Sequence, residues 1–427
     1  MIGLPRAGIG WRAAFLALLL MLLEPIRPRA EDKVQYRWEG YFEDNNRTDV
    51  TTQGVYVEKD LNPDLILKGN FVYDAISGAT PTGGPPPPGS DQVQLFNFWD
   101  RRYAGYVEVD YKQGRFTHQP QFAYSWERDY RSIGLAWNEL IELNEKHTTL
   151  AVGLSHNFDS LNGLWQRQFV DKGVSDLLLG VTQVLGPQTT LTFNVTLGYS
   201  EGYLSDPYKA VNFYYAYPDP SYDPSPYGIN SQDQLGTFGF PAENRPGHRV
   251  RSVAWLGLNH YVKSMDGALE ASFRVGTDSW GLTSETLSVA WFQKIGKRFT
   301  VSPLFRFYHQ SAADFYAVRF TGDPSNPYGG PYSVLPDGSL LFPTDPGYPG
   351  GGQIENVPAW PNYYSADYRL SQMNTYTYGL SIEAKVTDWA SVIVSYKRYR
   401  MVGTDGVTWQ SAYPQANVIS AGLNVWF

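Results

Sequence analysis

The chain has 427 residues, no cysteine and a formal net charge of -8, with 15% aromatic side chains that include 31 Tyr and 13 Trp. The missing thiols exclude disulfides, thiolate zinc sites, iron–sulfur ligation and cysteine nucleophiles, and the acidic balance speaks against a nucleic-acid partner, which requires a basic face. A mean hydropathy of -0.35 and the lack of any internal apolar run of about 18 residues exclude a bundle of spanning helices, so a membrane protein of this composition crosses with strands.

At the N-terminus, Arg6 and Arg12 precede the apolar run Ala13–Leu23, which Pro and Arg residues separate from Ala30. That order describes a secretory signal peptide, residues 1–30, cut after Ala30 to leave residues 31–427 as one domain. The apolar run is too short for an anchor, and no cysteine offers a lipid attachment site.

From Lys33 onward, runs of alternating apolar side chains repeat between turns. Val34, Tyr36, Trp38, Gly40 and Phe42 share one face of the first run, and Asp49–Lys59 forms the second. In the third, Leu65, Leu67, Gly69, Phe71 and Tyr73 oppose Lys68, Asn70 and Asp74. A loop over Ala75–Arg101 follows, whose four prolines Pro85–Pro88 cannot join a ladder. Tyr103–Tyr111 and Phe116–Trp126 are the next two strands, with Pro120 predicting a bulge. Further strands are expected over 130–143, 147–158, 174–185, 189–199, 249–262, 268–278, 282–294, 299–310, 375–386 and 390–401. The closing one ends at Phe427, with Ile419, Ala421, Leu423, Val425 and Phe427 on one face and Asn424 on the other.

The predicted fold is all-β: a transmembrane antiparallel up-and-down β-barrel of about sixteen strands, with about fourteen as the lower even count. Short periplasmic turns should alternate with long extracellular loops. The tight segments LNPD, Gln113-Gly114, NEKH, GPQT, SMDG, KIGKR and VTDW take every second gap, and the long connections 75–101, 159–173, 202–248, 311–373 and 402–414 fall in the others. A soluble propeller would show a repeat of about 20–50 residues, and none is present.

With the apolar faces on lipid, Lys68, Asn70, Glu108, Asp110, Arg115, Gln119, Gln121, Thr192, Asn194, Arg306, Glu383, Lys385 and Lys397 line the lumen. A barrel of this girth leaves a channel too wide for side chains to fill. Lining of mixed sign suits small hydrophilic solutes without strong charge preference. Tyr103, Tyr111, Trp126, Trp137, Tyr199, Trp255 and Trp291 fit interfacial girdles. The two largest loops, with YYAYPDPSYDPSPYG and DPSNPYGGPYS, suit ring stacking on a carbohydrate, an inward constriction or plain surface exposure.

The six histidines, His118, His147, His156, His248, His260 and His309, lack the spacing of a metal site, and no phosphate-binding glycine motif occurs, so no catalytic, cofactor or metal residue is expected. His118 falls on the lipid-facing register and His147 in a turn.

Four segments, VYDAISGATPTG, SWERDYRSIG, YLSDPYK and ENRPGHRVR, resemble the motifs of domain of unknown function 3570, a family of uncharacterised Gram-negative proteins. The resemblance extends over most of the mature chain, omits the leader and the two largest loops, and implies an outer-membrane barrel without a known activity. All four segments fall at strand-to-loop junctions on the long-loop side. There Asp74, Glu127, Asp129, Asp206 and Glu243 are positioned to meet Arg128, Lys209, Arg245, Arg249 and Arg251 in a rim network. Ion pairing is the expected use of that network, and Ca²⁺ held by its carboxylates is the alternative. The expected activity is that of a porin-like channel, or alternatively of a non-conducting structural or receptor barrel whose loops bind a partner. Its expected surroundings are outer-membrane lipid and lipopolysaccharide after handling by the barrel assembly machinery, as a monomer or trimer.

Overall fold

The computed structural model describes residues 32–427 apart from 85, 88, 164–167, 212, 215–241, 322–329, 335–339, 342–353 and 358–359. The expected signal peptide, the first aromatic loop segment beyond Tyr214 and much of the second lie outside the described residues.

Sixteen antiparallel strands close into one barrel. They are β1 (Lys33–Glu43), β2 (Thr48–Asn62), β3 (Leu65–Pro81), β4 (Leu95–Gln113), β5 (Phe116–Trp126), β6 (Tyr130–Leu143), β7 (Thr148–Leu161), β8 (Val170–Gly186), β9 (Thr189–Gly202), β10 (His248–Val262), β11 (Gly267–Asp278), β12 (Thr283–Ile295), β13 (Phe299–Gln310), β14 (Met373–Thr387), β15 (Ala390–Gly403) and β16 (Gln415–Trp426). Each strand pairs with its neighbours in sequence, and β16 returns to β1 in unbroken register from Lys33↔Trp426 to Glu43↔Ala416. Asp32 and Phe427 extend that seam by exchanging both backbone hydrogen bonds, at 3.0 and 2.9 Å. No helix among the described residues is long and apolar enough to cross a membrane.

Register assigns the two faces. Tyr36, Val55, Phe71 and Gly105 lie opposite one another across β1 to β4 on the outside, and exposed Phe122, Leu154, Leu179, Phe193, Leu256, Phe273, Leu287, Phe305, Leu380 and Leu423 continue this apolar belt. Tyr73, Tyr103 and Trp126 form a row of adjoining rings toward the long-loop end, with centroids 5.2 and 6.0 Å apart. Tyr111 stacks on His118 at 5.9 Å toward the other end, and Trp137 adjoins the same histidine at 6.0 Å. His118 is on the outer register as expected and pairs with Glu139 at 2.6 Å, while His147 sits in the turn before β7.

Three expectations change. The loop expected over 75–101 is mostly ladder, because β3 and β4 stay paired up to Pro81↔Leu95. Their strands of 17 and 19 residues exceed the roughly 9–11 that a bilayer requires, so the hairpin stands clear of the belt. Gly78, Ser77 and Thr80 gave that ladder the composition of a loop. Trp255 belongs to the lumen and not to a girdle: its register partners Asn194 and Arg274 both point inward. Apolar residues occupy both faces at Val253, Ala254, Trp255 and Leu256, so alternation leaves that register ambiguous.

Pro120 makes no bulge. Pairing of β4 with β5 runs Glu108↔Gln121 and resumes at Tyr111↔His118 in the same register, so the ladder skips two positions without inserting a residue. The same event recurs at Pro303, where β12 and β13 pair at Ala290↔Leu304 and again at Gln293↔Val301. Both prolines face outward in the sequence pattern Arg-Phe-Thr-x-x-Pro, at 115–120 and 298–303. Proline lacks the N–H that the neighbouring strand would accept, and its fixed φ still suits an extended chain.

Outward and inward positions on β9 give a test of the face assignment. Val195→Arg, at mid-strand on the outer face, should cost about 2–4 kcal/mol of folding free energy in lipid. Thr196→Arg, one residue along on the lumen face, should cost little. Denaturant titration of protein refolded into vesicles measures both.

Candidate functional site at the mouth of the barrel

Among the described residues, the buried apolar side chains lie almost entirely at the long-loop end, not along the barrel. Val211, Trp360 and Ala366 form one small core with Phe320 and Tyr364 against it. Trp280, Leu282, Ala313 and Leu370 form a second, with Leu204, Phe315 and Tyr316. The described segments of the long connections, at 203–211, 242–247, 311–321 and 360–372, therefore fold over the mouth as a cap with its own interior.

Six charged side chains stitch this cap together. Asp367 is 1% exposed, and its carboxylate accepts from Arg245 at 2.8 Å and from the Arg369 Nε at 2.9 Å. Arg369 also reaches Asp206. Arg245 Nε lies 2.6 Å from Glu243 Oε1, although the aligned hydrogen bond is the 3.1 Å one from its terminal nitrogen to Oε2. The Ser365 hydroxyl donates to Glu243 and accepts from the Asp367 N–H at 3.1 Å. Lys209, 2% exposed, donates to Thr80 Oγ1 at 3.0 Å and to the Pro81 carbonyl, and lies 6.0 Å from the Tyr368 ring centroid. Three acids and three bases thus form one cluster, buried except where the Arg369 side chain, 48% exposed, reaches the cavity beside Asp206.

Burial alone would raise the Asp367 pKa, but Arg369, Arg245 and Lys209 outweigh it and hold the carboxyl well below its usual range. Burial pushes Glu243 up, with Arg245 opposing it, and pushes the Lys209 ammonium down.

The rim residues expected from sequence divide into four groups. Asp206, Lys209, Glu243 and Arg245 meet in the cap, joined by Asp367 and Arg369, which sequence reasoning missed. Asp74 leaves this group: it accepts from Thr52 at 2.6 Å and pairs with Arg102 at 2.7 Å. Arg249 pairs with Asp278 and lies 4.4 Å from the Trp280 ring centroid, while Arg251 reaches Asp176 at 3.3 Å. Glu127 and Asp129 converge with Asp100, and Arg128 turns away to lie 5.4 Å from the centroid of the Trp99 ring. One signal was available for the missed pair, since Asp-Tyr-Arg occurs at 129–131 and again at 367–369.

The Asp100, Glu127 and Asp129 trio is where the calcium expectation narrows, with one oxygen from each within 4.8 Å of the others. Three carboxylates would supply about three to six of the roughly six to eight oxygens that calcium takes, according to whether each binds through one oxygen or two. Desolvation first, then Asp100, raises the Asp129 pKa, and the Tyr208 hydroxyl donates to it. Desolvation pushes Glu127 to about 7, with Arg102 opposing and Asp100, Asp129 and Asp74 adding to the rise.

Among the expected lumen residues, Lys68 bridges Glu108 at 3.2 Å and Asp110 at 2.7 Å, and Gln119 donates to Asp110 at 3.1 Å. Glu383 accepts from Ser391 at 2.6 Å, and Lys385 turns to Asp388 at 3.1 Å. Register places Gln121, Arg306 and Lys397 on the inner face, whereas Arg115, expected to line the lumen, sits in the turn before β5 with its guanidinium 5.0 Å from the Phe116 ring centroid, because the β4–β5 ladder ends at Gln113↔Phe116. Acids dominate the β2–β6 wall, at Glu58, Asp74, Asp100, Glu108 and Asp110, whereas Arg249, Arg251, Arg274 and Arg306 mark the β10–β13 wall. A cavity of ≈ 650 Å³ lies beneath the cap between Glu127, Asp206, Arg249 and Arg369.

A family model described as a protein of unknown function (DUF3570) matches residues 164–413. YLSDPYK, ENRPGHRVR and the Asp367–Arg369 loop fall within it, and the two earlier motifs precede it. No curated protein matches the chain. Among solved structures, a bacterial polysaccharide outer membrane secretin is 6% identical over 93% of this chain and 98% of its own, with a TM-score of 0.43. OmpT of Vibrio cholerae, an outer membrane protein in trimer form, is 9% identical over 93% and 99%, with a TM-score of 0.41. OccK2 (OpdF) of Pseudomonas aeruginosa, solved in complex with glucuronate, is 8% identical over 95% and 100%, with a TM-score of 0.40.

Two outcomes test the cap. Asp367→Asn strips the shared partner from buried guanidinium and ammonium groups and should cost the cap about 3–5 kcal/mol, whereas Asp206→Ala, facing a half-exposed Arg369, should cost about 0–1 kcal/mol. Limited proteolysis of the segments at 203–211, 242–247 and 360–372 reads the difference.

Glu127 gives a pH dependence of definite sign. Its pKa rises from 4.5 to about 7 on folding, so ionisation is disfavoured in the folded state and the hairpin is firmest below pH 4.5, losing stability as pH rises through about 7. Hydrogen exchange at the Glu127 amide, which closes the β5–β6 hairpin on the Tyr130 carbonyl, and at the Asn162 amide, which ties the end of β7 to the Asp129 carbonyl, should show protection falling across that window after correction for intrinsic rates. Glu127→Gln should flatten the change.

Proposed function

Because this chain belongs to the DUF3570 family, whose description assigns no activity, we propose from its geometry that it is a porin-like channel of the Gram-negative outer membrane for small hydrophilic solutes. In this proposal the short turns face the periplasm and the cap faces outward. Lipid and lipopolysaccharide surround the apolar belt, and the barrel assembly machinery inserts the exported chain.

The observation that carries the proposal is the contrast between the two ends of the lumen. The barrel wall presents polar side chains of both charge signs around cavities of ≈ 650 and ≈ 500 Å³, while the apolar clusters of buried residues lie in the cap. A barrel whose interior served only as packing would bury its inward side chains along its length.

A second reading is a receptor or structural barrel, favoured by the buried six-charge cluster that holds the cap in a preformed shape. Planar-bilayer recording separates the two. Discrete openings from a purified, heat-modifiable barrel are expected, with larger or noisier currents in Asp367→Asn. A correctly folded barrel that never opens, in either form, would exclude the channel and leave the receptor.

A further inference from the structure

The β10–β13 wall beneath the cap carries an excess of positive charge that the cap itself does not consume. A cavity of ≈ 350 Å³ there is lined by the guanidiniums of Arg245, Arg249, Arg251, Arg274 and Arg369 and by only two carboxylates, Asp278 and Asp367. Both carboxylates are committed. Asp278 holds Arg249 and also accepts the Trp280 and Leu282 amides at 2.9 and 3.1 Å, and Asp367 holds Arg245 and Arg369.

Arg274 has no ion pair among the described residues, and Arg251 has only the 3.3 Å contact to Asp176. The inward acids on the strand of Arg274 are Asp278, committed to Arg249, and Glu270, each four residues away, which at strand rise is roughly 13 Å. A second cavity of ≈ 500 Å³ shares Arg251 and Arg274 and adds Trp255, the amides of Gln121, Asn138 and Asn194, and one carboxylate, Asp176, already paired with Arg251. Trp255 is the cross-strand partner of Arg274, with its ring laid against Gly257. A half-buried indole on the lumen register has no girdle role to explain it, and it offers an apolar face beside a guanidinium fork that matches a carboxylate.

We propose that this wall is a binding and selectivity site for small carboxylate-bearing organic anions, gripped by Arg274 and Arg251 with the carbon skeleton against Trp255. The proposal rests on the channel reading for transport but not for binding. Volumes of ≈ 350 and ≈ 500 Å³ sharing two arginines suit a ligand of a few carbons with one or more carboxylates.

The test uses the purified full barrel with citrate as probe, and inorganic phosphate and sucrose as comparisons. In bilayers under a KCl gradient the reversal potential should report anion preference, and citrate should block the current. Arg274→Gln should weaken that block by about tenfold or more, the loss of one hydrogen bond to a charged group, and Arg251→Gln should add to it. A conducting channel that prefers cations and ignores citrate would overturn the anion site and leave the channel intact. A silent barrel would remove the channel, and calorimetric titration of the detergent-solubilised protein then decides the site. Citrate binding lost in Arg274→Gln would support it; no binding, or phosphate binding as tightly as citrate, would overturn it. Heat-modifiable migration of each variant confirms a closed barrel.

Discussion

Closure of the backbone ladder is the constraint from which the remaining architecture follows. In a hydrocarbon surround, each N–H and C=O of a spanning strand must find its partner within the sheet, and only a sheet without edges achieves this. The continuous β1–β16 register and the reciprocal Asp32–Phe427 bonds supply that seam. Once the sheet is closed, alternation leaves no choice: one set of side chains meets lipid, and the other, polar by composition, meets the lumen. A polar lumen is therefore a consequence of folding and identifies no cargo. What closure does not dictate is the sorting of charge within that lumen, with carboxylates concentrated on the β2–β6 wall and guanidiniums on the β10–β13 wall. The functional information lies in that asymmetry.

The cap solves a problem that closure creates. A wide barrel has no interior of its own, so segments that fold over its mouth must bring both their apolar core and their polar cross-links. Trp280, Leu282, Ala313 and Leu370 supply the first, and the Asp206, Lys209, Glu243, Arg245, Asp367 and Arg369 cluster supplies the second. Equal numbers of acids and bases allow such a cluster to be buried, since an unpaired charge there would carry the full desolvation cost. The four motif segments converge on this structure. Gly83, at φ +96, passes so close to the Ala210 carbonyl that a Cβ would collide with it. Tyr208 reaches Asp129, and the Asp206 amide donates to Glu243.

The barrel was legible because alternation is a two-valued code. Leu191, Phe193, Val195, Leu197 and Tyr199 leave no second register, and the placement of tight turns fixed the order of the strands. Where both faces are apolar, as around Trp255, the code is silent and the side chain was assigned outward. The extension of β3 and β4 was hidden because residues above the belt need not alternate in hydropathy. The rim network was half legible: four of its members share a cluster, but Asp367 and Arg369 come from a connection distant in sequence, and nothing local to Asp206 or Glu243 announces them. Asp74, Arg249 and Arg251 found other partners along the wall before they reach the cap: Asp74 and Arg249 meet charges on adjacent strands, and Arg251 reaches Asp176 two strands away across Gly198 of β9.

The two skipped stretches of ladder also bear on the mechanics of the wall. Pro120 interrupts the joint between β4 and β5, and Pro303 the joint between β12 and β13, eight strands further round a ring of sixteen. Both lie at the fifth residue of their strands, at the same height above the short turns. A hoop with two weakened joints half a circumference apart flexes there first. The other irregularities, at Asp60–Asn62, Val184–Gly186 and Lys385–Thr387, sit beside the short turns and leave the upper wall continuous, so the cross-section has one diameter about which flattening disturbs the fewest ladder bonds.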